Sequence, residues 1–282
     1  SLPRSRARLQ HKRYLSRAIG SEPPHIFAVA DRMYRLLVST GESQAIIVSG
    51  PSGSGKTETC KYVLRHLAYV SKDTKAQQGS KTSNELGRLL VQTNPLLEAF
   101  GNAETVLNKN SSRFGKFVQV IVSRNGAILG ASIQTYLLEA TRVVHHALNE
   151  CAYHVNYQLV FGASAAERKT YQLDADPSKY AYLCNASGVA TKRRGEDPAN
   201  YKEVCGVLQL LHVKPELTTA MFQVLSGLLA LGSVRFQENP NGESIVAAGD
   251  ELRRASQLLG THEALLRKAL CSRTMKLKGS EM

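Results

Sequence analysis

Apolar positions recur along the chain at different spacings, and each spacing predicts a different element. Residues 23–39 carry apolar side chains every three or four positions after two prolines, which predicts an amphipathic helix. Residues 45–48 are four consecutive apolar residues, which predicts a short buried strand. Residues 116–138 hold two β-rich runs around Asn125-Gly126, a dipeptide that favours a hairpin turn. The first half of the chain therefore mixes helix and strand.

Helical spacing dominates the second half. Residues 85–102 predict a helix that breaks near Asn94-Pro95, because proline disfavours helical backbone in the residue before it. From Ala152 onward the pattern is mostly helical, with a long apolar helix over residues 217–231 that leads into a short strand, and two short helices around Gly260. We expect an α/β fold followed by a mainly helical subdomain.

A phosphate-binding motif follows the predicted strand at residues 45–48. The octet G-x-x-x-x-G-K-T consists of Gly50, Pro51, Ser52, Gly53, Ser54, Gly55, Lys56 and Thr57. Glycines let backbone N–H groups surround a phosphate, and the positive end of the next helix adds to the field. In such a loop Lys56 reaches the β and γ phosphates and the Thr57 hydroxyl ligates Mg²⁺. The octet predicts a nucleotide-binding protein without defining its family.

Net charge, aromatic content and cysteine distribution narrow the class of protein further. The 282 residues carry a net charge of +13, part of it in a basic start, and this favours a polyanionic partner or a solvated basic surface. Aromatic residues are 6% and are not interleaved with basic ones, so we expect no nucleic-acid partner. No apolar run is long enough for a membrane span. Five scattered cysteines fit free thiols in a reducing, cytoplasmic setting.

Further motifs decide between families of nucleotide-binding proteins. A transporter ATPase would need an L-S-G-G-Q signature, and residues 225–227 begin one that then diverges into apolar helix. A small nucleotide kinase would need an arginine-rich lid, which we do not find. Residues 108–117 read N-K-N-S-S-R-F-G-K-F, a run dense in Asn, Ser and Arg that can close over a γ-phosphate. This run resembles switch I of the myosin motor domain at every defined position, and similarity to that family extends from about Glu22 to Lys276.

The resemblance implies a role for each matching residue. Ser112 and Thr57 would ligate Mg²⁺, and Ser111 would lie beside the γ-phosphate and the attacking water. Asn108 would contact phosphate, and Arg113 would pair with a glutamate of a second switch. The implied fold is a phosphate-loop core with a mixed transducer-type sheet flanked by helices, then a helical upper subdomain. The implied division is 1–71 for the N-terminal segment and phosphate loop, 72–83 for a surface loop like the family's loop 1, and 84–282 for switch I, the transducer hairpin and the upper subdomain.

Two departures from the family pattern affect the predicted function. Pro51 stands where the family usually has glutamate and removes one backbone N–H from the loop. No D-I-x-G-F-E string, the family's switch II, occurs in the 282 residues, so we expect an incomplete motor domain. In-line attack of water on the γ-phosphate would then depend on a segment outside this sequence.

Three functions are consistent with these observations. The first is the ATP-binding part of a competent actin-based motor with Mg-ATP as cofactor, associated with the cytoskeleton, whose full form could bind calmodulin or light chains; a class XV myosin is one possibility. The second is a truncated or degenerate nucleotide-binding or interaction module without motor activity. The third, least favoured, is a basic NTPase that acts on nucleic acid.

Overall fold

The structure is a computed structural model that describes residues 4–71, 89–184, 195–273, 276–277 and 280–281. The chain forms two compact units. The first comprises Ser1–Glu98 and Asn110–Leu138, and the second comprises Ala99–Lys109 and Glu139–Met282. The predicted loop 1-like segment at 72–83 lies outside the described residues, and the predicted division at residues 71 and 83 stays a prediction.

Along the chain, groups of helices alternate with groups of strands. In chain order they are α1 (Arg4–Tyr14), α2 (Ile26–Thr40), α3 (Lys56–Val70), α4 (Asn94–Gly101), β1 (Asn102–Ala103), β2 (Ser111–Ser112), β3 (Gly115–Val122), β4 (Ile128–Tyr136), α5 (His154–Gly162), α6 (Ala165–Thr170), α7 (Asp197–Leu210), α8 (Pro215–Gly232), β5 (Phe236–Glu238), β6 (Ser244–Val246), α9 (Glu251–Leu258), α10 (Glu263–Cys271), β7 (Lys276–Leu277) and β8 (Ser280–Glu281). Single 3₁₀ turns occupy Ala140–Val143, Pro177–Lys179 and Ala181–Leu183.

The predicted helices of the first unit are confirmed. His25 caps α2 by accepting a hydrogen bond from the Phe27 N–H, and Gly41 ends it in the left-handed conformation. α2 buries Phe27, Ala30, Asp31 and Tyr34, the face that the apolar spacing predicts. The break near Asn94-Pro95 is also confirmed, because a turn at Thr93 separates helical residues 89–92 from α4.

The predicted hairpin forms from β3 and β4. The two strands pair antiparallel from Gly115 opposite Tyr136 to Val122 opposite Ile128, with a register shift after Ile121. Gly126 occupies the turn with a positive φ of 84°, as the Asn-Gly dipeptide predicts. The Tyr34 hydroxyl donates a hydrogen bond of 2.6 Å to the Gly126 carbonyl, which anchors the turn to α2.

The predicted buried strand at residues 45–48 is wrong. These residues have no strand assignment, and the side chain of Ile47 is 91% exposed. An isolated extended segment cannot bury both faces or pair its backbone without neighbouring strands, and no described strand pairs with this one. The larger mixed sheet that the resemblance implies is accordingly not seen among the described residues, which form only two-stranded pairings.

The second unit is mainly helical, as predicted. α5 is the most enclosed helix, with all residues from His154 to Val160 buried. α8 contributes Phe222, which is fully buried and lies 5.2 Å, between ring centroids, from Tyr201 of α7. His154 itself is 6% exposed. The five cysteines are free thiols. Every helix in the described part of the chain is too short or too polar to cross a lipid bilayer.

Candidate functional site

The phosphate-loop motif forms an open turn at the start of α3. Gly50, Gly53 and Gly55 all have positive φ values, of 149°, 78° and 86°. A Cβ atom at Gly50 would lie only 2.8 Å from the Ser54 Oγ, so a side chain here would require the Ser54 hydroxyl to move. Pro51 follows Gly50 in an exposed turn, where the fixed φ of proline is accommodated. The loop therefore has the backbone geometry that its glycines predict.

The side chain of Lys56 lies over its own loop. Its Nζ donates hydrogen bonds of 2.6 Å to the Gly50 carbonyl and 2.7 Å to the Pro51 carbonyl. Because Lys56 is the first residue of α3, its ammonium group lies at the positive end of the helix. This places a positive charge and the free N–H groups of a helix start at the same spot, which suits an anion such as a phosphate.

The switch-I-like run brings Ser111 to the same loop. The Ser52 and Ser111 hydroxyl oxygens lie 3.3 Å apart, within hydrogen-bonding distance, and Ser111 is 2% exposed. The Arg113 guanidinium donates from Nη1 to the Ser111 Oγ over 3.3 Å. Three of the predicted site residues are thus in direct contact: one from the phosphate loop and two from the run that follows α4.

The remaining predicted site residues are Thr57, Ser112 and Asn108. Thr57 is half-buried in the first turn of α3, and Ser112 is exposed at the end of β2. Asn108 belongs to the second unit, where its backbone exchanges two hydrogen bonds with Thr105, of 2.9 and 3.2 Å. The roles of Thr57, Ser112 and Asn108 toward metal and phosphate stay predictions.

Sequence reasoning missed an ionic network beside the loop. The Lys61 ammonium lies 2.7 Å from a carboxylate oxygen of Glu58 and 2.7 Å from one of Glu98. Burial opposes the charge of Lys61, but the hydrogen bonds to the two carboxylates prevail and raise the pKa of the ammonium group. Asn110 also donates to Glu98, over 3.0 Å. The network therefore ties α3 and α4 to the start of the switch-I-like run.

A second lysine, Lys116 on β3, lies near this network. Its ammonium donates to the Asn94 Oδ1 over 3.2 Å. Burial lowers the pKa of Lys116, and the nearby positive charge of Lys61 acts in the same direction. Only the i,i+3 spacing of Glu58 and Lys61 was visible in the sequence; the contacts of Glu98 and Lys116 join residues distant along the chain.

The residues present fit a Mg²⁺-bound nucleotide. Three glycines with positive φ leave the loop backbone unobstructed, Lys56 supplies a cation, and the hydroxyls of Ser52 and Ser111 supply neutral polar groups at hydrogen-bonding distance from each other. The predicted metal ligands, the hydroxyls of Thr57 and Ser112, are hard oxygen ligands of the kind that Mg²⁺ uses alongside phosphate oxygens. The site thus has the features of a phosphate-loop nucleotide-binding protein.

Comparison with known proteins identifies the family. A profile described as "Myosin head (motor domain)" matches residues 6–282, nearly the whole chain. The chain belongs to the myosin head family.

Several curated myosins are similar to the chain over most of its length. Myosin IA heavy chain of Dictyostelium discoideum is 38% identical over 255 residues, which are 89% of this chain and 25% of that protein. Unconventional myosin-Ia of Gallus gallus is 39% identical over 90% of this chain and 24% of its own length. Unconventional myosin heavy chain 6 of Caenorhabditis elegans is 37% identical over 93% of this chain and 12% of its own. The chain thus spans a quarter or less of these relatives.

Proposed function

We propose that this chain supplies the ATP-binding part of an actin-based motor. The observation that carries the proposal is the contact between the phosphate loop and the switch-I-like run, where Ser52, Ser111 and Arg113 are joined through hydroxyl and guanidinium groups. A loop that binds a nucleotide and a run that senses its γ-phosphate must meet in this way for hydrolysis to be coupled to movement. Membership of the myosin head family supports the same assignment.

Each residue has a distinct task in this proposal. Lys56 binds the β and γ phosphates, and the backbone N–H groups of the glycine loop donate hydrogen bonds to the phosphate oxygens. Ser111 orients the attacking water with Asn108, while Arg113 fixes the Ser111 hydroxyl. Thr57 and Ser112 would hold Mg²⁺, which when bound neutralises charge that develops on the phosphates. Actin filaments, calmodulin or light chains, and a cytoskeletal, cytoplasmic location are proposed for the protein that contains this chain.

Nucleotide binding and turnover are separable in this proposal. The 282 residues contain no D-I-x-G-F-E string, the element that completes the γ-phosphate pocket together with switch I in the family. We therefore expect these residues to bind Mg-ATP and to show no actin-stimulated hydrolysis alone. Phosphate release measured on the monomeric 282-residue chain, with and without filamentous actin, tests this, and turnover that rises with actin would contradict it.

Binding itself is tested at Lys56. We expect Lys56→Ala to weaken binding of a fluorescent ATP analogue at least about tenfold, because a charge-assisted phosphate contact is lost. Lys214→Ala, at an exposed lysine before α8, is the matched control and should bind like the wild type. Equal affinities of Lys56→Ala and the control would refute the phosphate-loop assignment.

The switch-I-like run is tested at Ser112. Ser112→Ala should raise the Mg²⁺ concentration needed for nucleotide binding, because one metal ligand is lost, while binding at saturating Mg²⁺ is affected less. The neighbouring Ser123→Ala, at the hairpin turn, should leave the Mg²⁺ dependence unchanged. An unaltered Mg²⁺ titration for Ser112→Ala would show that this residue does not ligate the metal.

A further inference from the structure

Three histidine rings meet where the first three helices pack, away from the phosphate loop. His11 belongs to α1, His25 precedes α2, and His66 belongs to α3. His66 is fully buried, and its neighbour Asp31 is 1% exposed. The proposed nucleotide chemistry uses none of these groups, so their burial calls for another explanation.

His11 attaches α1 to the other two helices. Its ring stacks on Phe27 of α2 at 4.2 Å and on Tyr69 of α3 at 4.9 Å between centroids. Its Nδ1 lies 3.1 Å from the Nδ1 of His66. On the other side of the His66 ring, Nε2 lies 3.6 Å from a carboxylate oxygen of Asp31. In space, Asp31, His66 and His11 therefore form a row of ionisable side chains that ends on α1.

The contact between the two Nδ1 atoms limits how many protons the pair can hold. One nitrogen must donate and the other must accept, so at least one Nδ1 has to be unprotonated. A single added proton can be shared between the rings, close to the negative charge of Asp31. When both rings are charged, two N–H groups and two positive charges face each other at 3.1 Å, and the contact cannot persist.

His25 adds a second requirement for a neutral ring. Its Nδ1 accepts the hydrogen bond from the Phe27 N–H, over 3.1 Å, that caps α2, and a protonated ring cannot accept it. Burial lowers the pKa of His25, and the positive charge of His66 acts in the same direction. The His25 ring also stacks on the ring of Tyr14, with 5.3 Å between centroids, so His25 contacts the end of α1.

Other charged and titratable groups lie around the cluster. For Asp31, burial opposes ionisation, but the proximity of the His66 ring and the hydrogen bond from Arg35 prevail and lower its pKa, so it stays a carboxylate. Arg13 pairs with Glu22, and Lys12 on α1 and Arg65 on α3 are exposed cations. The further titratable groups beside the cluster are Tyr14 of α1 and Tyr62 and Tyr69 of α3. Histidine is the side chain whose ordinary titration range lies closest to neutral pH.

We propose that α1 is a pH-sensitive latch, which His11 holds on α2 and α3 at neutral pH and which detaches in mild acid. A free α1 leaves His11 and His66 each able to take up a proton, whereas the docked Nδ1–Nδ1 contact at 3.1 Å holds only one of the two. Docking is therefore favoured at neutral pH and weakens in mild acid, the range in which imidazoles ordinarily take up protons. Detachment would uncover the aromatic face of Phe27 and Tyr69 and free a basic segment.

Hydrogen exchange of the α1 backbone tests the latch on the 282-residue chain. Amides of residues 9–14 are compared at about pH 7.5 and about pH 5.5, one unit either side of the ordinary imidazole value, after correction for intrinsic exchange. We expect protection of these amides to fall at least about tenfold at the lower pH, while protection in α5 stays constant. Equal protection of α1 at both values would overturn the proposal.

Two variants separate titration from packing. His11→Phe keeps the stacking on Phe27 and Tyr69 and cannot titrate, whereas His11→Asn keeps a polar partner for His66 and cannot titrate. We expect at least one of them to lose less α1 protection at the lower pH than the wild type, because only the requirement at His25 is left to respond to protonation. His262→Phe, at an exposed histidine before α10, should behave like the wild type. The proposal fails if the His11 variants lose protection at low pH as the wild type does, or if neither variant docks at neutral pH.

Discussion

Helix α5 and residues 45–48 both carry several apolar side chains, yet the structure exposes them to different extents. All residues from His154 to Val160 in α5 are buried, whereas Ile47 is 91% exposed. A helix satisfies its backbone internally and needs only neighbouring side chains, which α7 and its surroundings supply. A strand needs backbone partners as well as a covered face. The comparison teaches that apolar content alone does not predict burial. The segment must also satisfy its backbone hydrogen bonds, which a helix does internally and an extended segment does not.

The largest effect is expected in the enclosed core at Phe222. This side chain is fully buried between Tyr171 and Tyr201. Phe222→Ala should lower the free energy of unfolding by about 3–5 kcal/mol, because it leaves a cavity that surrounding rings fill only in part. Chemical denaturation measures this. A loss below about 1 kcal/mol, a typical exposed-site value, would show that the second unit is not tightly packed.

A comparable loss is expected at Arg142, a buried cation in the same unit. It is 3% exposed and lies 2.7 Å from carboxylate oxygens of Glu139 and of Glu150, and it donates to the Cys151 carbonyl over 3.0 Å. Arg142→Ala should cost about 3 kcal/mol of unfolding free energy, because two carboxylates lose their partner. Arg253→Ala breaks an exposed pair with Asp250 and should cost less than about 1 kcal/mol. Similar losses for both would contradict the burial difference.

A smaller effect is expected at the start of α6. Ser164 and Glu167 form a reciprocal capping box, and Tyr201 also donates to Glu167, over 3.0 Å. Ser164→Ala should cost about 1 kcal/mol. Burial opposes the charge of Glu167, but the hydrogen bonds prevail and lower its pKa below the ordinary 4.5. The stabilisation is therefore present above that value and is lost as the pH falls below it; thermal unfolding at several pH values checks this.

The smallest effect is expected at Ile47, the exposed member of the comparison. Ile47→Ala removes side-chain atoms that already face solvent, so the free energy of unfolding of the 282-residue chain should change by less than about 0.5 kcal/mol. Val160→Ala is the matched control from α5, since Val160 is fully buried, and it should cost at least about 1 kcal/mol. Equal costs would mean that residues 45–48 are covered in solution.

Local signals in the sequence account for the parts of the structure that could be predicted. The spacing in α2, the Asn-Gly dipeptide at Gly126 and the glycine loop before Lys56 each fix conformation within a few residues. The contact of Lys61 with Glu98 and that of His11 with His66 join residues far apart in the sequence, so no local pattern indicates them.

The hydrogen bond from Tyr34 to Gly126 has a consequence for the order of folding. The two residues are 92 positions apart, and closing so long a loop costs more conformational entropy than forming α2 or the β3–β4 hairpin, whose contacts are local. We therefore expect α2 and the hairpin to form early in folding, and the hydrogen bond between Tyr34 and Gly126 to form late. An interaction that is absent from the transition state slows unfolding without hastening folding. We therefore expect the Tyr34 hydroxyl to slow the unfolding of the hairpin turn from α2 and to leave its folding rate unchanged.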